Sequence, residues 1–231
     1  MRHPSYSLLV FDWDGTLLDS INAIVRCTQA TLDRLGLPEA DEDNIRSGIG
    51  LGIRETVELF CPGRDEDTFR RICEVYRELW FGGFSKEPVL FDGVRELLEA
   101  LSEEGRLLAV ATAKSRKGLA ADLERTGLGH FFGASRTVDE APSKPNPEML
   151  LGILEELGIG RESALMIGDA VHDLEMANNA RVAALGVVSG TTEREVLAGL
   201  DPLDCLDRVT ALPAWLERNP PTVTRYLEAG S

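Results

Sequence analysis

The chain has 231 residues, 43% hydrophobic and 27% charged, an ordinary globular mixture long enough to bury a core without staples. Lys and Arg number 24 against 39 Asp and Glu, a formal charge of −15 that opposes a nucleic-acid or anionic-membrane binder, since such surfaces need clustered positive charge. No apolar run approaches the ~18 residues of a membrane span, no secretory apolar region follows Met1, and Cys27, Cys61, Cys73 and Cys205 never form Cys-x-x-Cys; together these predict a cytoplasmic protein with reduced thiols.

Residues 7–11 are a nearly continuous apolar run, the pattern of a parallel strand covered on both faces. The run leads into Phe11-Asp12-Trp13-Asp14-Gly15-Thr16, so Asp12 and Asp14 project from the strand's carboxyl end, where open α/β sheets bind ligands. Carboxylates this close repel unless a cation sits between them or one keeps a proton. One can therefore act as nucleophile and metal ligand while the other moves a proton. The simpler reading is an acidic turn, which Asp and Gly favour. Trp13 alternates with both aspartates and points away from them.

From 17 to 86 the pattern is helical, at 19–35, 54–60 and 65–84, with no strand. A simple crossover needs far less chain, so 17–86 reads as a helical cap domain inserted into a core made of 1–16 and 87–231. Inside the cap, Gly50-Leu51-Gly52 lies between Arg46 and Arg54. That turn either offers amides and cations to a substrate or simply joins two helices. Gly15, Gly82 and Gly83 supply permissive backbone for a hinge.

A helix at 93–104 returns the chain to the core, and a second strand at 107–112 ends in Thr112-Ala113-Lys114-Ser115. A hydroxyl and free amides at a strand-to-helix junction can hold a phosphoryl group; the alternative is a solvated helix start carrying Lys114, Arg116 and Lys117. After a helix at 118–126 and a strand at 134–138 comes Lys144-Pro145-Asn146-Pro147, whose prolines restrict where Lys144 points as the 147–157 helix begins. Held near two carboxylates and a phosphate, its ammonium has a catalytic use, neutralising charge and fixing the nucleophile; the alternative is a solvent-exposed lysine before a helix. A fourth strand, 164–168, delivers Asp169, with Asp173 four residues on in the 171–180 helix. Asp12, Asp14 and Asp169 offer the oxygen ligands that suit Mg²⁺, while Asp173 either supports the site from behind or opposes the helix dipole. His172 reads as an exposed helix residue. A fifth strand spans 183–188, and the tail after Pro213 reads as loosely held. This alternation predicts a doubly wound, parallel α/β sheet.

With Asp12-x-Asp14, Thr112, Lys144-Pro145 and Gly168-Asp169-x-x-x-Asp173 in that order, the chain resembles the haloacid dehalogenase superfamily of phosphohydrolases over about residues 5–215. Residues 112–190 look most like its phosphoglycolate phosphatase branch. The resemblance implies a Rossmann-like core with the first strand central, in spatial order five-four-one-two-three, and an Mg²⁺-dependent phosphatase of small phosphate monoesters. It makes Asp12 the nucleophile that becomes a phosphoaspartate and Asp14 the acid and base. Asp12, the Asp14 backbone carbonyl and Asp169 are then the metal ligands, and Thr112, Ala113 and Lys144 the phosphate holders. Arg46, Gly50, Leu51, Gly52, Arg54 and Lys114 remain as candidates for substrate choice. Ala113 stands where that branch commonly has Asn, Ala170 where it has Ser or Thr, and Trp13 where Leu is frequent; the two alanines bear on phosphoglycolate as the substrate. Other readings are a phosphosugar mutase of the same superfamily, a receiver-type signalling domain phosphorylated at Asp139, and a capped binding protein without activity. The expected partner is a small phosphorylated metabolite, taken by a monomer or homodimer.

Overall fold

A computed structural model describes residues 6–85 and 89–219; residues 1–5, 86–88 and the end of the tail from residue 220, over which the expectations above extend, lie outside them. Strand β1 (Leu8–Phe11) is wholly buried and sits mid-sheet. It pairs in parallel with β2 (Leu107–Ala111) on one side and β4 (Ala164–Gly168) on the other. Beyond them lie β3 (Phe132–Arg136), β5 (Ala183–Val187) and β6 (Asp204–Leu206), giving the parallel order β3-β2-β1-β4-β5-β6. The expected five-strand order is present, extended by β6, a three-residue edge strand too short to register as an apolar run.

The period of two along β1 divides the core. Leu9, Phe11 and Trp13 face one cluster with α5 (Val94–Glu103), α6 (Arg116–Thr126) and α10 (Leu212–Arg218), through Leu98, Leu119 and Trp215. Leu8 and Val10 face the other, with α7 (Glu148–Leu157), α8 (Val171–Ala180) and α9 (Arg194–Ala198), through Ile153, Leu174 and Leu197. The tail expectation needs correcting up to residue 219. Trp215 is buried in the first cluster and donates its Nε1–H to Asp204 (3.1 Å), so α10 is part of the core.

Among the described residues between β1 and α5 the elements are helices: α1 (Ile21–Leu35), α2 (Glu42–Gly48), α3 (Ile53–Phe60), α4 (Glu66–Leu79) and a π-helical turn, Trp80–Phe84. They pack around their own cluster, which includes Val25, Leu32, Ile45, Val57 and Ile72. The two chain crossings that lead into and out of this layer run side by side: Leu18 bridges Leu90, and the Asp19 N–H donates to the Val89 carbonyl. No helix among the described residues is long and apolar enough to cross a membrane.

Candidate active site

Sheet register assembles the site. Phe11 is level with Val110 on β2 and Ile167 on β4, so Asp12, Thr112 and Asp169 all emerge within about one residue of each other at the same carboxyl edge. Lys144 arrives from the segment preceding α7, is 1% exposed, and bonds Asp12 Oδ1 at 2.5 Å and Asp173 Oδ1 at 2.6 Å. The other oxygen of Asp173 accepts the Ala170 N–H at 3.0 Å, tying the start of α8 to the same network. Asp169 accepts from Thr16 Oγ1 (2.8 Å) and from the Thr191 N–H (2.9 Å). Gly15 and Gly190 flank it, and a β-carbon at Gly15 would lie 2.5 Å from Asp169 Oδ2, at Gly190 closer still.

Three carboxylates buried with one ammonium are short of positive charge. Burial pushes Asp12 well above the ordinary carboxylate range; Lys144 opposes the shift, and Asp173 and Asp169 add to it. Burial and then the Asp173 charge push Asp169 up to about 7. For Lys144, burial acts to lower the pKa, but Asp12 and Asp173 outweigh it and hold the ammonium above its usual value. Ligand oxygens of Asp12, Asp169 and Asp173 all lie within 4.8 Å of one another. An all-oxygen, charge-deficient cluster of this kind fits a hard divalent cation, which would draw the raised Asp12 and Asp169 carboxyls back towards their ionised forms.

Asp14 lies outside that cluster. Its carboxylate accepts from Ser20 Oγ (2.6 Å) and from Lys114 Nζ (2.8 and 3.0 Å). Lys114 also meets Asp122 at 3.2 Å, and Asp122 takes the Trp13 Nε1–H at 3.1 Å. The Trp13 ring therefore packs away from the aspartates, against Phe132, yet is joined to Asp14 through Asp122 and Lys114. Asp122, Ser20, Thr16 and Thr191 went unread in the sequence. A buried tryptophan N–H needs an acceptor, but nothing in the sequence marks Asp122 as that acceptor.

Above the site lies a cavity of about 240 Å³, with Asp12, Asp14, Thr112, Ala113 and Lys114 on its core side. Gly50 and Leu51 line it from the helical layer, where the Gly50 backbone approaches Ala170 and His172. Gly52 packs on Ser143 instead and is absent from the lining. Arg46 and Arg54 do not reach the cavity either: Arg46 bonds Asn22 and pairs with Glu42, while Arg54 pairs with Glu66 and covers the Phe69 ring. Asp139 lines the cavity and accepts the Arg116 N–H at the start of α6, but it stands outside the cluster of Asp12, Asp169 and Asp173.

The family model for haloacid dehalogenase-like hydrolases matches residues 9–206. The chain is 35% identical over 206 residues to the probable phosphatase IndB of Dickeya dadantii, covering 87% of this chain and 89% of that protein. It is 32% identical over 225 residues to a phosphoglycolate phosphatase of Agrobacterium fabrum, covering 93% and 94%. A solved hydrolase structure from Pseudomonas syringae has the same fold, with a TM-score of 0.84 over 94% of this chain and 99% of that one, at 22% identity. The acidic strand end, the buried lysine and the helical insertion thus stand in a chain that belongs to the haloacid dehalogenase-like hydrolase family, among its phosphatases.

Proposed function

We propose that the protein hydrolyses small phosphate monoesters through a phosphoaspartate on Asp12, with residues 17–86 acting as the cap over the reaction. The observation that carries this reading is the split in the two strand-end carboxylates. Asp12 is locked by Lys144 among the other buried acids, while Asp14, two residues further along the chain, is held apart by Ser20 and Lys114. In the first half-reaction an Asp12 carboxylate oxygen attacks phosphorus, the ester P–O bond breaks, and Asp14 gives its proton to the departing alkoxide. In the second, Asp14 takes a proton from water as that water attacks the phosphoaspartate, releasing phosphate and restoring both side chains. Thr112 and the amides after it hold the phosphoryl oxygens at the mouth of α6. Mg²⁺, held by Asp12, Asp169 and the Asp14 backbone carbonyl, would supply charge neutralisation for those oxygens. Asp173 has one oxygen on Lys144 and the other on the Ala170 N–H, so it serves to fix the lysine.

The direct test is phosphate release from a panel of monoesters with Mg²⁺ and with EDTA. Release that needs Mg²⁺ is expected, and no release from any ester would overturn the reading. Asp14→Asn keeps its contacts with Ser20 and Lys114 but cannot move a proton, so kcat should fall about 10²–10⁴-fold; a wild-type rate would reject its role. Metal binding has a readout independent of activity. Saturating Mg²⁺, at about 100 times its Kd, should raise the melting temperature by roughly 5–10 °C. Asp169→Asn should lose most of that rise. Ca²⁺, which takes more ligands, should stabilise the fold without supporting turnover.

A further inference from the structure

The apolar character of the cavity above Asp12 has no part in phosphoryl transfer. Ile24, Ile49, Leu51, Trp80 and Phe81 line it, and among the described residues none of these five belongs to any of the three packed clusters. Trp80 stacks on the Tyr76 ring and Phe81 lies under Lys117 Nζ, and all five present apolar surface to the cavity. Of the hydroxyls in the lining, Thr31 donates to the Cys27 carbonyl and Thr56 to the carbonyls of Gly48 and Gly52, while Thr28 and Tyr76 add two neutral hydroxyls to the wall. Lys114, the cation on the core side, is shared between Asp14 and Asp122. From the cap the only charged side chain in the lining is Arg77, which is exposed. On that side a carboxylate would face neutral groups apart from the exposed Arg77, and a substrate with several hydroxyls would leave most of them against the five apolar side chains, at the cost of their hydration. The space is also below the ~300–1,000 Å³ usual for drug-sized ligands.

Building on the phosphatase reading, we propose that the organic half of the substrate is uncharged and apolar, a single ring or a short alkyl chain, seated between Leu51 and Trp80. Ordinary sugar phosphates and phosphoglycolate are then poor substrates.

The test is a series of primary n-alkyl phosphates, ethyl to hexyl, whose leaving groups have nearly constant basicity, so that kcat/KM reports contact rather than chemistry. It should rise about threefold to fourfold per added CH₂ until the cavity is full. Ethyl phosphate should exceed phosphoglycolate, its close match in size, by at least about tenfold. Leu51→Asn, on the half-exposed turn, should flatten the chain-length dependence while the melting temperature stays close to wild type. A flat wild-type series, or phosphoglycolate ahead of ethyl phosphate, would overturn the inference and leave the phosphatase reading intact. A slope that survives Leu51→Asn in full would overturn the assigned seat. Absence of phosphate release from every ester, an activated aryl phosphate included, would instead remove the phosphatase reading on which the inference rests.

Discussion

Asp12→Asn should release phosphate at least about 10⁴-fold more slowly than wild type, because an amide of the same shape cannot form an acyl phosphate. The variant should nevertheless fold. Burial holds the Asp12 carboxyl above its ordinary range, so in metal-free protein its ionisation costs stability as pH rises past the unfolded carboxylate value. Asparagine removes that cost and still offers an oxygen to Lys144, which keeps its bond to Asp173. At neutral pH in EDTA the variant should therefore melt no lower than within a few degrees of wild type. Phosphate release and thermal melts on the same preparation check both halves. Turnover within tenfold of wild type would reject Asp12 as the nucleophile.

Lys144→Met should damage stability and catalysis together. The methionine fills much of the same space but leaves Asp12 and Asp173 as buried carboxylates without their cation. Breaking a buried pair in this way costs about 3–5 kcal/mol, roughly 6–20 °C in melting temperature for a chain of this size. The ammonium's pKa is raised, so this contribution is present in full at neutral pH and is lost only in strongly alkaline solution. The drop should be largest in EDTA and smaller with Mg²⁺. A double variant, Lys144→Met with Asp173→Asn, should recover most of the melting temperature yet remain about 10²–10³-fold slow, since the charge beside the reacting group is still missing. A single variant that melts like wild type would show that the lysine is not what offsets the acidic cluster.

The strands were legible where both faces are covered. β1, β2, β4 and β5 are continuous apolar runs and fall within a residue or two of the sequence reading. Edge strands were not so clear. β3 begins two residues earlier than expected because Phe132-Gly133-Ala134-Ser135-Arg136 is only partly buried, and β6 has three residues. Helix α2 was missed because Ile45 is the one buried large apolar side chain in Glu42–Gly48, so there is no periodicity to see. The 65–84 helix was read as continuous; its last turn is a π-helix, since two adjacent glycines, Gly82 and Gly83, do not favour the α-helical bonding that precedes them. In the site, Asp12, Thr112, Lys144 and Asp169 could be placed because each follows or precedes a recognisable element. The side chains that orient them could not, because Asp122 meets Trp13 across 109 residues and Thr16 meets Asp169 across 153. Such contacts have no local spacing.

The room around Asp169 is made by the absence of side chains at Gly15 and Gly190. Every amino acid reachable from a glycine codon by one base change carries at least a methyl group, and there is no smaller residue to move to. Drift at these two positions has no neutral first step: any replacement must displace the carboxylate or the backbone that carries it. A random library scored for activity should therefore find both positions as intolerant as the aspartates themselves, although neither glycine has a functional group. The enzyme's footprint in sequence is wider than its chemistry, and part of that footprint is written in empty space.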